Sequence, residues 1–202
     1  MKKYLKTDEW NIIEDSFQAD HMRWSESIFS LGNGRFGQRG YFEEPYSSDS
    51  YRGAFVAGIT FLDKTRVGWW KNGFPRFYTR IPNAPDWSRI SLRLIDEELD
   101  LAQWEVDSFN RRLDMKAGIS YRDVEVTSPR GHQLRLHVEH ITDMAHPNLC
   151  LIKYSATSIN YAGKISLVPT FNGDIVNQAD HSDEKIWNIL RSGATSDCAY
   201  LW

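Results

Sequence analysis

The sequence predicts an all-β protein, an antiparallel β-sandwich, and three observations carry that expectation. Two segments, "RISLRLI" (89–95) and "QLRLHVEH" (133–140), alternate apolar and polar residues with the period of two that a half-buried strand needs. Clusters of turn-forming residues recur roughly every ten residues, as they do in sandwiches and barrels. Eight Trp, nine Tyr and ten Phe make up 13% of the chain. Aromatic side chains favour strands and fill sandwich cores, and they also form platforms for sugar rings.

In chain order, "SIFSL" (27–31) is a passable strand, and "GNG" (32–34) supplies residues that accept positive φ for a hairpin. Gly37 and Gly40 then mark a close backbone approach or a bulge in the second strand. Residues 63–85 hold three prolines, two glycines and several aromatics, the composition of a long structured loop. In 89–95, Ile90, Leu92 and Leu94 point one way and Ser91 and Arg93 the other; "IDEELD" (95–100) is a turn. "SPRGH" (128–132) is the next turn. Leu134, Leu136 and Val138 then point inward, with Arg135, His137 and Glu139 outward. "LCLIKYSA" (149–156) and "KISLVP" (164–169) are further strands, with turns at "NYAG" (160–163) and "FNGD" (171–174). The one helix candidate is "DEKIWNIL" (183–190). "DCAYLW" at the C-terminus reads like the opening of an apolar strand, whereas domains usually end on polar residues; the expectation is a truncated domain within a larger protein.

The 202 residues suit one domain or part of one, and the 41% hydrophobic and 25% charged content is that of a globular protein. A net charge of −3 without a basic block argues against a nucleic-acid partner. No stretch approaches the roughly 20 apolar residues of a membrane helix, and the N-terminal lysines precede no apolar run of a secretory signal. Two distant cysteines, Cys150 and Cys198, fit a cytoplasmic setting with reduced thiols.

Gly32, Gly34 and Gly37 match G-x-G-x-x-G, the spacing of a dinucleotide-binding loop. Such a loop needs a helix opening at its last glycine. Here Gly37, Gly40 and Pro45 interrupt any helical period, so the glycines read as hairpin and packing residues. His137 and His140, three apart on a strand, face opposite sides and cannot share a metal. Glycoside chemistry needs two carboxylates across a cleft. Glu43–Glu44, Glu97–Glu98 and Asp183–Glu184 are sequence neighbours, for which solvated surface charge is the expectation; Glu43–Glu44 stands apart, in an aromatic, glycine-rich segment. No G-x-S-x-G elbow surrounds Ser25, Ser27 or Ser30. "GWWK" (68–71) is the leading surface-recognition candidate, for an interface or domain contact ahead of sugar stacking.

The stretch "ESIFSLGNGRFGQRGYFEEPYSSDSY" resembles the opening of glycoside hydrolase family 65. The shared features are Glu26–Ser27, Gly32–Asn33–Gly34, Arg39–Gly40, Phe42–Glu43–Glu44 and Tyr46–Ser47–Ser48–Asp49–Ser50. "LDMKAGISYR" (113–122) is similar to a further family segment, and "DKTRVGWWKNGFP" (63–75) to the maltose phosphorylases of the family; Phe36 and Gln38 depart from the usual pattern. The resemblance runs along essentially the whole chain. It implies a galactose-mutarotase-like super-sandwich, an incomplete N-terminal domain over 1–202, that in the family precedes a helical linker and a six-fold α/α barrel.

The barrel, absent from this chain, is implied to carry the chemistry. A Glu protonates the glycosidic oxygen while inorganic phosphate attacks C1 from the opposite face, turning maltose into β-glucose 1-phosphate and glucose. The resemblance implies no metal or organic cofactor, only phosphate as co-substrate. No position here matches the acid or the phosphate site, so no catalytic residue carries over and the chain alone is expected to be inactive. The implied partners are the missing barrel, the disaccharide of the full-length enzyme and a second copy in a homodimer. Arg66, Trp69, Trp70 and Lys71 are expected to border the active-site mouth or meet the partner subunit. Kojibiose, nigerose and trehalose phosphorylases, a trehalose-cleaving hydrolase, and a stand-alone sugar-binding sandwich stay open as alternatives.

Overall fold

The structure, a computed structural model, describes residues 4–65, 73–177 and 185–202. Its main layer is a six-stranded antiparallel sheet in the order β1 (Leu5–Thr7), β2 (Asn11–Glu14), β10 (Glu105–Asp114), β11 (Ile119–Thr127), β12 (Gln133–Thr142), β13 (Cys150–Ser158). The opposing layer is β14 (Ile165–Asn172), β8 (Asp86–Leu94) and β9 (Glu97–Glu98). Three smaller pieces complete the described chain: a sheet of β3 (Leu31–Gly32), β4 (Phe36–Gln38) and β5 (Ala54–Val56), and two hairpins, β6 (Phe61–Lys64) with β7 (Phe77–Arg80) and β15 (Ser192–Ala194) with β16 (Ala199–Leu201). The expected all-β sandwich is what forms.

The alternation read from the sequence sets the registers. Val124 pairs with Leu136 and Val126 with Leu134, so four inward side chains meet across β11 and β12. They join Leu92 and Leu94 of β8, Leu99, Leu101, Trp104 and Phe109 in one core between the layers. Each such aliphatic side chain contributes about 1.5–3 kcal/mol on burial. On β8 the period of two is incomplete. Ser91, expected to face out, is buried because Glu98 of the adjacent β9 accepts its hydroxyl proton, and Ile90 is only half-buried.

One helix expectation and one strand expectation fail. Residues 185–190 are irregular, with 183 and 184 outside the described residues. The helix lies instead at α1 (Met22–Ile28), after a 3-10 turn at Ala19–His21, and "SIFSL" begins as its last turn rather than as a strand. Tertiary packing decides this: α1 buries Met22, Ser25 and Glu26 against the sheet. The long-loop expectation for 63–85 covers residues 66–72, outside the described ones; its flanks form the β6–β7 hairpin.

Several large apolar side chains stay exposed among the described residues. Leu151 of β13, Leu167, Val168 and Phe171 of β14, then Leu190 and Trp202 are all exposed, the last two by 77% and 79%.

Candidate functional site

The glycine run forms the β3–β4 hairpin. Gly32 pairs with Gly37, and Gly34 sits at φ +83°, where a side chain would be strained. The Asn33 side chain accepts from the amides of Arg35 (3.1 Å) and Phe36 (2.8 Å) and donates to the carbonyls of Asp143 (2.8 Å) and Pro147 (3.1 Å). Two amides that a phosphate cradle would use are thereby occupied, and a strand, not a helix, runs through Gly37. Gly40 is the close-approach residue: an added Cβ would lie 2.7 Å from the Phe29 carbonyl oxygen, whereas at Gly37 the nearest atom would be 4.0 Å away.

Around this hairpin the family-like residues build a buried lattice of charge. Glu26, on α1, accepts from Ser50 Oγ at 2.5 Å and from the Tyr51 amide at 2.7 Å, with Arg39 Nη2 at 3.5 Å. Arg39 in turn donates to Ser27 Oγ (2.7 Å) and to the carbonyls of Arg23 (2.9 Å) and Tyr51 (2.8 Å). Deeper in, Glu14 accepts from Ser25 Oγ (2.7 Å) and from Arg111 Nε (2.9 Å) and Nη2 (2.5 Å). Arg111 also donates to the Gly40 carbonyl at 2.7 Å and lies 4.6 Å above the Phe29 ring. Burial pulls the Arg111 guanidinium below its ordinary pKa against the opposing pull of Glu14.

The third cluster corrects an expectation. Glu43 and Glu44 are not solvated surface charges; they are 4% and 0% exposed. They lie on a bend, not a strand, so neighbouring side chains need not diverge. Both converge on Arg122 Nη2, at 2.6 Å from Glu43 Oε2 and 2.8 Å from both Glu44 oxygens. Tyr154 donates its hydroxyl to Glu44 at 2.5 Å, and His140 Nδ1 stands 3.6 Å from Glu43. Burial alone would raise the Glu43 carboxyl. Arg122 and His140 overcome it and hold the group at about 2. Burial also opposes the charge on Arg122, but Glu44 and Glu43 prevail and raise its pKa. Burial and Glu44 push the Tyr154 phenol well above its usual value, so it stays a donor.

This arrangement settles what these carboxylates can do. A general acid must carry its proton near the working pH. Glu43 is ionised at neutral pH, and Glu14, Glu26 and Glu44 are sealed among donors of the same chain. They are fastenings between α1, the hairpin and β10–β13. The expected divergence of His137 and His140 holds: His137 faces out between Asp123 (2.7 Å) and Glu139 (3.0 Å), while His140 is buried. No group of metal-ligating side chains occurs among the described residues.

Arg66, Trp69, Trp70 and Lys71 lie outside the described residues. Sequence reading gave no role to Glu14, Arg111 or Tyr154, and it met Arg122 only as the last residue of the family-like segment 113–122. A signal was available: Arg122 is in phase with Val124 and Val126, and Arg111 with Phe109 and Leu113, so each strand carries a cation on its apolar face. Such a cation needs a buried anion. Elsewhere, a cleft of about 730 Å³ opens beside Phe17, Tyr46 and Trp104, rimmed by Asp15, Gln103 and Asp107.

Comparison with known proteins supplies a family. The family model "Glycosyl hydrolase family 65, N-terminal domain" matches residues 12–201. Maltose phosphorylase of Bacillus subtilis is 38% identical over 200 residues, 99% of this chain and 26% of the relative. Kojibiose phosphorylase of Halothermothrix orenii is 32% identical over 185 residues, covering 91% of this chain and 22% of the relative. A solved structure titled a putative kojibiose phosphorylase from human microbiome superposes with a TM-score of 0.88 at 26% identity, covering 99% of this chain and 26% of that one. The chain thus spans about a quarter of the length of the relatives it matches.

Proposed function

The chain belongs to glycoside hydrolase family 65, as its N-terminal domain, and from that premise we propose that it is the non-catalytic β-sandwich of an inverting disaccharide phosphorylase. The carrying observation is the buried lattice: every glutamate in the family-like stretch 26–50 serves as a fastening, leaving none to protonate a leaving group. The chemistry then belongs to a following α/α barrel, where phosphate attacks the glucosyl C1. Maltose is the favoured substrate, because the maltose phosphorylase is 38% identical against 32% for the kojibiose phosphorylase. Kojibiose and α,α-trehalose are the runners-up, on the names of the other relatives.

The sandwich's role is packing against that barrel and a partner subunit. The exposed Leu151, Leu167, Leu190 and Trp202 support this, since large apolar side chains left in water mark candidate contacts. The loop holding Arg66, Trp69, Trp70 and Lys71 is the second candidate contact, at the active-site mouth or the dimer interface. Two free thiols, Cys150 and Cys198, support a cytoplasmic setting. The test is phosphate-dependent release of glucose 1-phosphate from maltose. This chain alone should release none, and sustained turnover would overturn the reading. A second reading, sugar binding by the sandwich itself, is favoured by the Phe17–Tyr46–Trp104 cleft; calorimetry with maltose and glucose would reveal it as saturable heat.

A further inference from the structure

We propose that the sandwich holds a single internal water at the junction of the β3–β4 hairpin with the large sheet. A cavity of about 30 Å³ lies there, bordered by Gln38, Arg122 and His140 among apolar neighbours such as Phe29, Leu31 and Val138. That space exceeds the roughly 10–15 Å³ a cavity needs to admit one water. All three residues are buried, and each carries an atom with no hydrogen-bond partner: Gln38 Oε1, Arg122 Nη1 and His140 Nε2. An unpaired buried polar atom costs about 1–3 kcal/mol, so three of them on residues that line one small cavity point to a common partner.

The chemistry of the three atoms selects the occupant. Arg122 Nη1 can only donate, so the occupant must accept. Gln38 Oε1 can only accept, since the Gln38 amide nitrogen already donates to Ser88 Oγ at 3.1 Å, so the occupant must also donate. His140 Nε2 takes either role. When Nδ1 turns its proton to Glu43, 3.6 Å away, Nε2 accepts; in the imidazolium it donates. A halide satisfies the donors but not Gln38, and it would face the Glu43 carboxylate that borders the cavity. A metal cation faces the Arg122 and Arg111 guanidiniums that border the cavity. Water alone among small common species meets all three demands. Once bound, it links Ser88 of β8 through Gln38 of β4 to β11 and β12, extending the Glu43–Arg122 lattice into the hairpin.

The test is a high-resolution crystal structure of this chain, grown once without halide and once in sodium bromide with data collected at the bromine edge. The expected result is one ordered oxygen within about 2.7–3.2 Å of Arg122 Nη1, Gln38 Oε1 and His140 Nε2, with no anomalous signal there. In Gln38→Leu that peak should be lost or displaced. An anomalous bromide peak in the cavity, a cavity without density, or side chains that close directly on one another would each overturn the proposal. The unmodified chain decides the matter even if Gln38→Leu does not fold.

Discussion

Two regions of this sandwich invert the usual placement of residue types. Beneath the hairpin, Glu14, Glu26, Glu43, Glu44, Arg111 and Arg122 are buried, yet each charge meets its opposite. Along β13, β14 and the C-terminal hairpin, Leu151, Leu167, Phe171, Leu190 and Trp202 lie open to water. The first region is closed on itself, because burial of charge is tolerable only when partners come from the same chain. The second has apolar surface with no cover, and that is how an interaction surface differs from a core. Stability should therefore reside in the first region and association in the second.

The sharpest way to break that contrast is Arg122→Met. It leaves Glu43 and Glu44 buried without their cation, and the expected loss is about 3–5 kcal/mol, read as a fall in the urea midpoint. A midpoint near the unmodified chain's would mean that the lattice is ornamental.

Acid should act on the same place. Glu43 is depressed from the ordinary 4.5 to about 2, so its contribution is fully present above pH 4.5 and is lost as pH falls from there through about 2. Stability measured across that window should fall, and Glu43→Gln should flatten the slope. An equal slope in both proteins would place the acid sensitivity elsewhere.

Gly40→Ala should cost about 1–3 kcal/mol, because the new methyl meets Phe29 at 2.7 Å. Gly37→Ala, with 4.0 Å to spare, should be close to neutral in the same denaturation measurement. The smallest effect on stability belongs to the exposed apolar side chains. Leu190→Ser should change the unfolding free energy by no more than about 0.5 kcal/mol while reducing self-association in sedimentation. A large stability loss there would show that Leu190 is core after all.

Much of the sandwich was legible because its strands are half-buried: Leu134, Leu136 and Val138 alternate with Arg135, His137 and Glu139 as the pleat requires. The hairpin at Gly34 was legible because a positive φ is written in glycine. Helix α1 was not. It is seven residues long, has no side-chain N-cap, and owes its existence to where Met22, Ser25 and Glu26 pack. The charge lattice was only half-legible. Glu26, Arg39, Glu43 and Glu44 lie close in sequence, but Arg111 and Arg122 arrive from later strands, and only folding brings them to Glu14, Glu43 and Glu44. Glu43–Glu44 stood apart in its aromatic, glycine-rich setting, but nothing local in sequence shows that a bend turns both carboxylates inward onto Arg122.

The central claim is that the glycine-rich stretch holds the sandwich together and binds no phosphate. The most direct test is an amide NMR titration of this chain with inorganic phosphate, following Gly32, Asn33, Gly34 and Gly37. If the Asn33 side chain and the β3–β4 ladder occupy those groups, the shifts should show no saturation. Saturable shifts confined to those amides would contradict the claim and return the stretch to the phosphate cradle that its spacing suggests.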